Sequence, residues 1–205
     1  LMDEAFSALD PLIRNDMQLQ LKELQKRLHK TIMFITHDLD EALRLGDHIA
    51  ILKDGELRQV GTAEEILLNP ADDYVRRFVT DVNRGRVVKA KTVAEKIPTI
   101  KVSKLNVETV RAALLKTKMR GIFVLADDGK IIGGANRRLL ETCGEVINVD
   151  ELLPVATVSE DTVIDEALQQ SANIELPLAV LESSGVLIGA LSRQGLMSAI
   201  ARELE

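Results

Sequence analysis

Residues 121–133, GIFVLADDGKIIG, align without gaps on residues 177–189, PLAVLESSGVLIG, 56 positions later. Each copy reads as a strand, a polar turn at Gly129 or Gly185, and a second strand ending at Gly133 or Gly189. A helical spacing precedes each copy (Val107 to Lys116; Val163 to Ala172) and another follows (Arg137 to Thr142; Gln194 to Arg202). Short lead-in strands are expected at Ile100 to Ser103 and Ala156 to Ser159. One such unit of about 60 residues cannot bury both faces of its small sheet, so two units must pack as a pair. This duplication rules out a single continuous sheet and predicts two α+β repeats side by side.

The N-terminal part follows a different rule. The chain begins LMDEAFSALDP, a strand end that runs into two adjacent carboxylates, Asp3 and Glu4. Because a chain does not normally start mid-strand, we expect a C-terminal piece of a longer protein. Asp10 followed by Pro11 reads as an N-cap and first helical position. Leu12, Ile13, Met17, Leu21, Leu24 and Leu28 then keep the i, i+3/i+4 spacing of an amphipathic helix. TIMFIT (residues 31–36) reads as a short buried parallel strand ending at His37, and Asp38 to Leu45 as a helix. His48 to Lys53 and Glu56 to Val60 flank Asp54-Gly55, a strong hairpin signal. Thr62 with Glu65 makes a capping box for the next helix.

The order strand, carboxylate pair, helix, strand, histidine, hairpin resembles the C-terminal part of an ATP-binding-cassette (ABC) ATPase, an α/β P-loop NTPase. The likeness runs through TIMFITHDLDEALRLGDHIAILKDGELRQVGTAEEILLNP and is not confined to one motif. By this resemblance Asp3 would hold Mg²⁺, and Glu4 would be the general base that orients or deprotonates the attacking water. His37 would contact the γ-phosphate of ATP, and Ser7 and Asp10 would belong to the loop that crosses to a partner subunit in an ATP-bound homodimer. His29 and His48 lack such context and read as surface residues. No G-x-x-x-x-G-K-[ST] phosphate loop and no LSGGQ-like signature occurs in the 205 residues. The resemblance therefore implies an ATP hydrolase in the longer parent and no turnover from this chain alone.

The duplicated part resembles a tandem of cystathionine-β-synthase (CBS) domains. Domain limits are expected at 1–80 for the ATPase part, 81–98 for a basic linker, 99–144 for the first CBS repeat and 145–205 for the second. Nucleotide-binding CBS repeats usually follow their second strand with Gly-x-x-[Ser/Thr]-x-x-Asp, the Asp taking the ribose hydroxyls. Here the positions read Gly133, Asn136, Leu139 and Gly189, Ser192, Gly195. Ser192 fits and both Asp positions do not, so ordinary AMP or ATP is not expected between the repeats. A cyclic dinucleotide or an electrostatic signal stays open.

Composition narrows the functional classes. The chain has one cysteine, Cys143, no Trp, 2% aromatic residues and a net charge of −6. These disfavour an internal disulfide, base-stacking platforms and nucleic-acid binding. No apolar run approaches the roughly 18 residues of a membrane span. Charge is also unevenly placed: residues 84–138 hold 14 Lys/Arg against 4 Asp/Glu, and residues 139–205 hold 2 against 12. Lys89, Lys91, Lys101, Lys104, Lys116, Lys118 and Arg120 form the basic set. They are expected to make a salt-sensitive contact with anionic lipid or with the acidic second repeat of a neighbouring subunit.

An ABC ATPase with a C-terminal CBS pair resembles the ATP-binding subunits of importers for glycine betaine, proline and related quaternary amines. The resemblance implies a cytoplasmic protein peripheral to the inner face of the membrane. Its partners would be a transmembrane permease subunit and a solute-binding protein, and the CBS pair would gate ATP hydrolysis by osmotic state. Two alternatives stay open: a non-enzymatic CBS fragment that senses a ligand and dimerises, and an ABC ATPase for another amine solute.

Overall fold

The computed structural model describes residues 1–144 and 146–201. It divides into two units, Leu1–Val82 and a second that starts at Asn83.

In the first unit, β1 (Met2–Asp3) pairs in parallel with β2 (Phe34–Ile35), with Met2 opposite Phe34 and Asp3 opposite Ile35. Between them runs α1 (Pro11–Leu28), capped as expected by Asp10, whose carboxylate accepts from the amides of Leu12 and Ile13. Asp38 caps α2 (Leu39–Leu45) in the same way. β3 (Ile49–Lys53) and β4 (Glu56–Gly61) form an antiparallel hairpin. Asp54 and Gly55 both have positive φ, 52° and 79°, the conformation that a two-residue turn between twisted strands requires. The Thr62/Glu65 capping box opens α3 (Ala63–Leu68), and α4 (Asp73–Phe78) follows.

Two expectations fail here. The strand at residues 31–36 is not buried: it shrinks to Phe34–Ile35, with Met33 and Ile35 exposed. The apolar stripe of α1 is also not its buried face. Leu12, Ile13, Met17, Leu24 and Leu28 are exposed, and the residue α1 buries is Gln18. A buried amide at the centre of the unit's longest helix does not follow from that spacing.

The second unit holds two three-stranded sheets of one topology. In the first, β5 (Thr99–Lys101) pairs in parallel with β6 (Ile122–Leu125), which pairs antiparallel with β7 (Ile131–Ala135). In the second, β8 (Thr157–Ser159), β9 (Leu178–Leu181) and β10 (Leu187–Leu191) repeat the arrangement. Both hairpins slip register at the same place. The Val124–Gly133 pair is followed by Leu125–Ile131, and Val180–Gly189 by Leu181–Leu187. The second strands run two residues past Gly133 and Gly189. Gly129 and Gly185 turn the hairpins at φ 89° and 83°.

Helices α6 (Val107–Leu115) and α7 (Arg137–Thr142) cover the first sheet, while α8 (Ile164–Gln170) and α9 (Arg193–Ala201) cover the second. The last position of the helix expected to end at Arg202 lies outside the described residues. Val110, Leu114, Ile122 and Leu139 form one core and Ile164, Ala167, Leu178, Val180 and Leu196 another. Between the sheets Phe123 packs on Ala179 and Ala190. Phe123 and Ala179 are equivalent positions, so the duplication diverged into a large residue against a small one.

The segment expected as a linker is built into the fold. Residues 84–86 form a short 3₁₀ turn and Ala90–Val93 a helical turn, α5. Val88 and Ala90 lie in the core of the second repeat, not the first. Glu95 then exchanges both backbone hydrogen bonds with Ala190 on β10, at 2.9 Å each. The converse holds for the segment before the second repeat: Leu153 exchanges both backbone bonds with Gly134 on β7, and Ile147 enters the first core. Each repeat is thus roofed by the arm that precedes the other. A Cβ on Gly133 would sit 2.6 Å from Cβ of Leu152, and one on Gly189 3.0 Å from Cβ of Ala94. The glycine ending each copy is what lets the crossed arm approach.

Candidate functional site

Parallel pairing of β1 with β2 brings together the two ends of the motif that lie 33 positions apart. The Glu4 amide donates to the Ile35 carbonyl at 2.9 Å; Glu4 directly follows β1, and His37 lies two residues past β2. Glu4 Oε1 lies 2.9 Å from His37 Nδ1. Both side chains are accessible, 50% and 74% exposed, so a ligand reaches them without displacing protein. With the proton on Nδ1 the ring donates to the carboxylate and keeps Nε2 for a ligand. Asp3, the last residue of β1 and next in sequence to Glu4, is exposed.

Glu4 sits at φ 44°, in the left-handed region that an L-residue with a long side chain seldom adopts. The turn after it is held accordingly. The Ser7 amide (3.1 Å) and Ser7 Oγ (2.9 Å) both donate to the Glu4 carbonyl. Phe6 is buried against Phe34 with ring centroids 5.6 Å apart. Asp10 closes the turn as the α1 cap. The residues singled out in the sequence, Asp3, Glu4, Ser7, Asp10 and His37, therefore occupy one end of the β1–β2 pair, with the Ser7 and Asp10 side chains bonded to backbone there.

Beneath the Glu4–His37 pair lies a polar network that the sequence reading missed. Glu41 is buried; Thr36 Oγ1 donates to it at 2.7 Å and Gln18 Nε2 at 3.0 Å. Arg14 stands 3.9 Å from Glu41 and 3.8 Å from Asp38, and its Nη2 donates to the Leu9 carbonyl at 3.0 Å. Arg44 bonds the side chains of Asn15 and Gln18. Glu4, Ser7, Arg14, Thr36, His37, Asp38 and Glu41 line a cleft of about 70 Å³. That is room for about two waters at ~30 Å³ each and far below a nucleotide's need. A faint signal existed: Arg14 and Gln18 are four apart on one face of α1, along the edge of its apolar stripe.

Among the described residues no three His, Cys, Asp or Glu side chains group to hold a metal ion. Asp3 fits Mg²⁺ only as one oxygen in a shell completed by phosphates and water, the arrangement this ion commonly takes.

At the CBS positions the side chains cap helices. Ser192 Oγ accepts from the Gly195 amide at 3.0 Å, and Asn136 Oδ1 from the Leu139 amide at 2.9 Å. Leu139 is buried in the first core. A Cβ on Gly195 would lie 3.1 Å from Ser192 Oγ and 3.4 Å from a Glu95 carboxylate oxygen. A carboxylate is disfavoured at both places, by burial in one and like charge in the other.

Of the basic set, Lys89 and Lys91 are engaged within the chain. Both ammonium groups bond Asp161 of the second repeat, at 2.9 and 3.2 Å. The acidic partner expected on a neighbouring subunit is, for these two, in the same molecule. The paired lysines hold the Asp161 carboxyl below the usual aspartate range, chiefly through those hydrogen bonds. Lys101, Lys104, Lys116, Lys118 and Arg120 are exposed.

Residues 148–202 match the CBS domain family. The chain is 38% identical to the glycine betaine transport ATP-binding protein OpuAA of Bacillus subtilis, across 98% of this chain and 49% of that one. It is 40% identical to the glycine betaine/proline betaine transport system ATP-binding protein ProV of Escherichia coli, across 99% of this chain and 52% of that one. Its close homologues are ATP-binding subunits of glycine betaine transporters. The chain spans about half the length of the curated relatives it matches. A solved structure of Staphylococcus aureus OpuCA superposes with a TM-score of 0.46 at 15% identity, across 52% of this chain and 94% of that one. No helix among the described residues is long and apolar enough to cross a membrane.

Proposed function

We propose that this chain is part of the ATP-hydrolysing subunit of an importer for glycine betaine or a related quaternary amine, with a CBS pair that regulates hydrolysis. The observation that carries the reading is the 2.9 Å contact between Glu4 and His37 at the ends of two parallel strands. In this reading Glu4 is the base for the attacking water, held in the left-handed conformation at φ 44°. His37 Nε2 faces the terminal phosphate; with Nδ1–H donated to Glu4, Nε2 donates to a phosphate oxygen as the imidazolium, which carries a proton on both nitrogens. Asp3 supplies one oxygen to Mg²⁺, whose chemistry when bound is to neutralise phosphate charge. The rest of the nucleotide site comes from the intact subunit and its dimer partner, since the cleft here is too small for ATP. In this reading the subunit sits on the cytoplasmic face of the membrane, and its partners are a transmembrane permease and a solute-binding protein.

Glu4→Gln in the intact subunit keeps the shape and removes the base. We expect ATP binding to persist and steady-state hydrolysis to fall about 10²–10⁴-fold. His37→Ala should also lose turnover. Near-parental hydrolysis in either variant sinks the reading.

Regulation is assigned to the exposed cations Lys101, Lys104, Lys116, Lys118 and Arg120, which would meet anionic lipid. Screening shortens from about 10 Å at 0.1 M salt to about 3 Å at 1 M, so such a contact weakens as salt rises. Transport should be measured against salt in vesicles of varied anionic-lipid content. Changing these residues to Gln should lower the salt midpoint, and an unchanged midpoint across lipids and variants removes the assignment.

A further inference from the structure

One side chain touches both flanks of the Glu4–His37 pair, and it has no place in the reading above. Arg14, on the first turn of α1, supplies a guanidinium to the lining of the cleft. On one side its guanidinium donates to the carbonyls of Leu9 (3.0 Å) and Ser7 (3.4 Å). On the other it faces Asp38 (3.8 Å) and the buried Glu41 (3.9 Å), and Thr36, the residue before His37, donates to Glu41 at 2.7 Å. The Ser7 end leads back to the base directly, because Ser7 bonds the Glu4 carbonyl through both its amide and its hydroxyl. Arg14 therefore grips the turn that follows Glu4 and the acids that follow His37 at the same time. A left-handed Glu4 is a sparsely populated conformation that persists only where its surroundings over-determine it. Here those surroundings are the Ser7 turn, and the fork of a guanidinium is suited to holding carbonyls and carboxylates together. Arg14 Nε is also buried without a hydrogen-bond partner, a cost that packing alone does not require.

We propose that Arg14 is a positioning residue for hydrolysis: it locks the Ser7–Leu9 turn to the Asp38–Glu41 segment and so fixes Glu4 against His37. The proposal rests on the hydrolytic reading above.

The test is steady-state ATPase kinetics and thermal melting of the intact subunit in its transporter. Removing one charge from a buried pair leaves the other uncompensated, so the informative variant is the neutral pair Arg14→Met with Glu41→Gln. Arg14→Lys is the second: it keeps a positive charge near Asp38 and Glu41 and loses the fork that reaches Ser7 and Leu9. We expect both to melt near the parent and to keep KM for ATP within about twofold. Their kcat should fall about tenfold or more, as expected when reacting groups are displaced by about an ångström. A kcat within twofold of the parent in either variant overturns the proposal. So does a joint loss of melting temperature, KM and kcat in both, which marks Arg14 as structural. Glu4→Gln serves as the control: if it retains hydrolysis, the underlying reading has failed rather than the role of Arg14.

Discussion

Helices α1 and α6 carry comparable apolar spacing and meet opposite fates. In α6, Val110 and Leu114 are buried in the core of their repeat. In α1, Leu12, Ile13, Met17, Leu24 and Leu28 face outward and Gln18 faces inward. Periodicity states which face of a helix can be buried; it does not state what is available to bury it. The duplicated unit supplies its own partner, since each sheet meets a copy of itself across Phe123, Ala179 and Ala190. The first unit offers α1 two parallel strands of two residues each and the polar side chains of α2, Glu41 and Arg44. Its interior there is organised by charge and hydrogen bonds.

The contrast can be broken most easily with a pair of truncations. Phe123→Ala opens a cavity between the two sheets and should cost about 3–5 kcal/mol in urea unfolding of the repeats. Leu24→Ala removes an exposed side chain from α1 and should move stability by no more than about 0.5 kcal/mol. Equal effects would show that the stripe of α1 is buried in solution.

A smaller effect sharpens the picture of the crossed arm. Asp161 has its carboxyl lowered by Lys89 and Lys91. Its contribution to stability is therefore present above the ordinary aspartate value near 4, and is lost as pH falls through the lower folded value. Asp161→Asn should lower the urea midpoint of the repeats slightly at pH 7. The gap between variant and parent should close at acid pH, and it should narrow with added salt because all three side chains are partly exposed. A gap that is constant from pH 7 down to pH 2 would mean that the lysines do not distinguish the charged carboxylate.

Much of this was legible because it is local. The cap at Asp10, the Asp54-Gly55 turn and the Thr62–Glu65 box are set by residues a few positions apart, and each formed where expected. The repeats were legible by a different route, self-comparison, which places equivalent strands without knowing what they touch. What escaped was non-local. Nothing in the run VNRGRVVKAK says that Val88 and Ala90 belong to a core more than 60 residues downstream. Likewise Arg14, Gln18, Thr36 and Glu41 are ordinary surface-type residues until the strands bring them together. The carboxylate and histidine were singled out by their joint pattern, two strand ends 33 positions apart with a hairpin after them; their supports belong to no such pattern and were missed.

The exchange of arms has a consequence for anyone who would take the protein apart. Order along the chain and order in space disagree by one segment, so a cut placed between the repeats by sequence parts each repeat from its own roof. A single repeat carrying the arm that precedes it could seat that arm only on another molecule, where the same two backbone bonds at Glu95 or Leu153 would form between chains. What is an internal duplication in this protein would, as a halved gene, be an arm-swapped dimer.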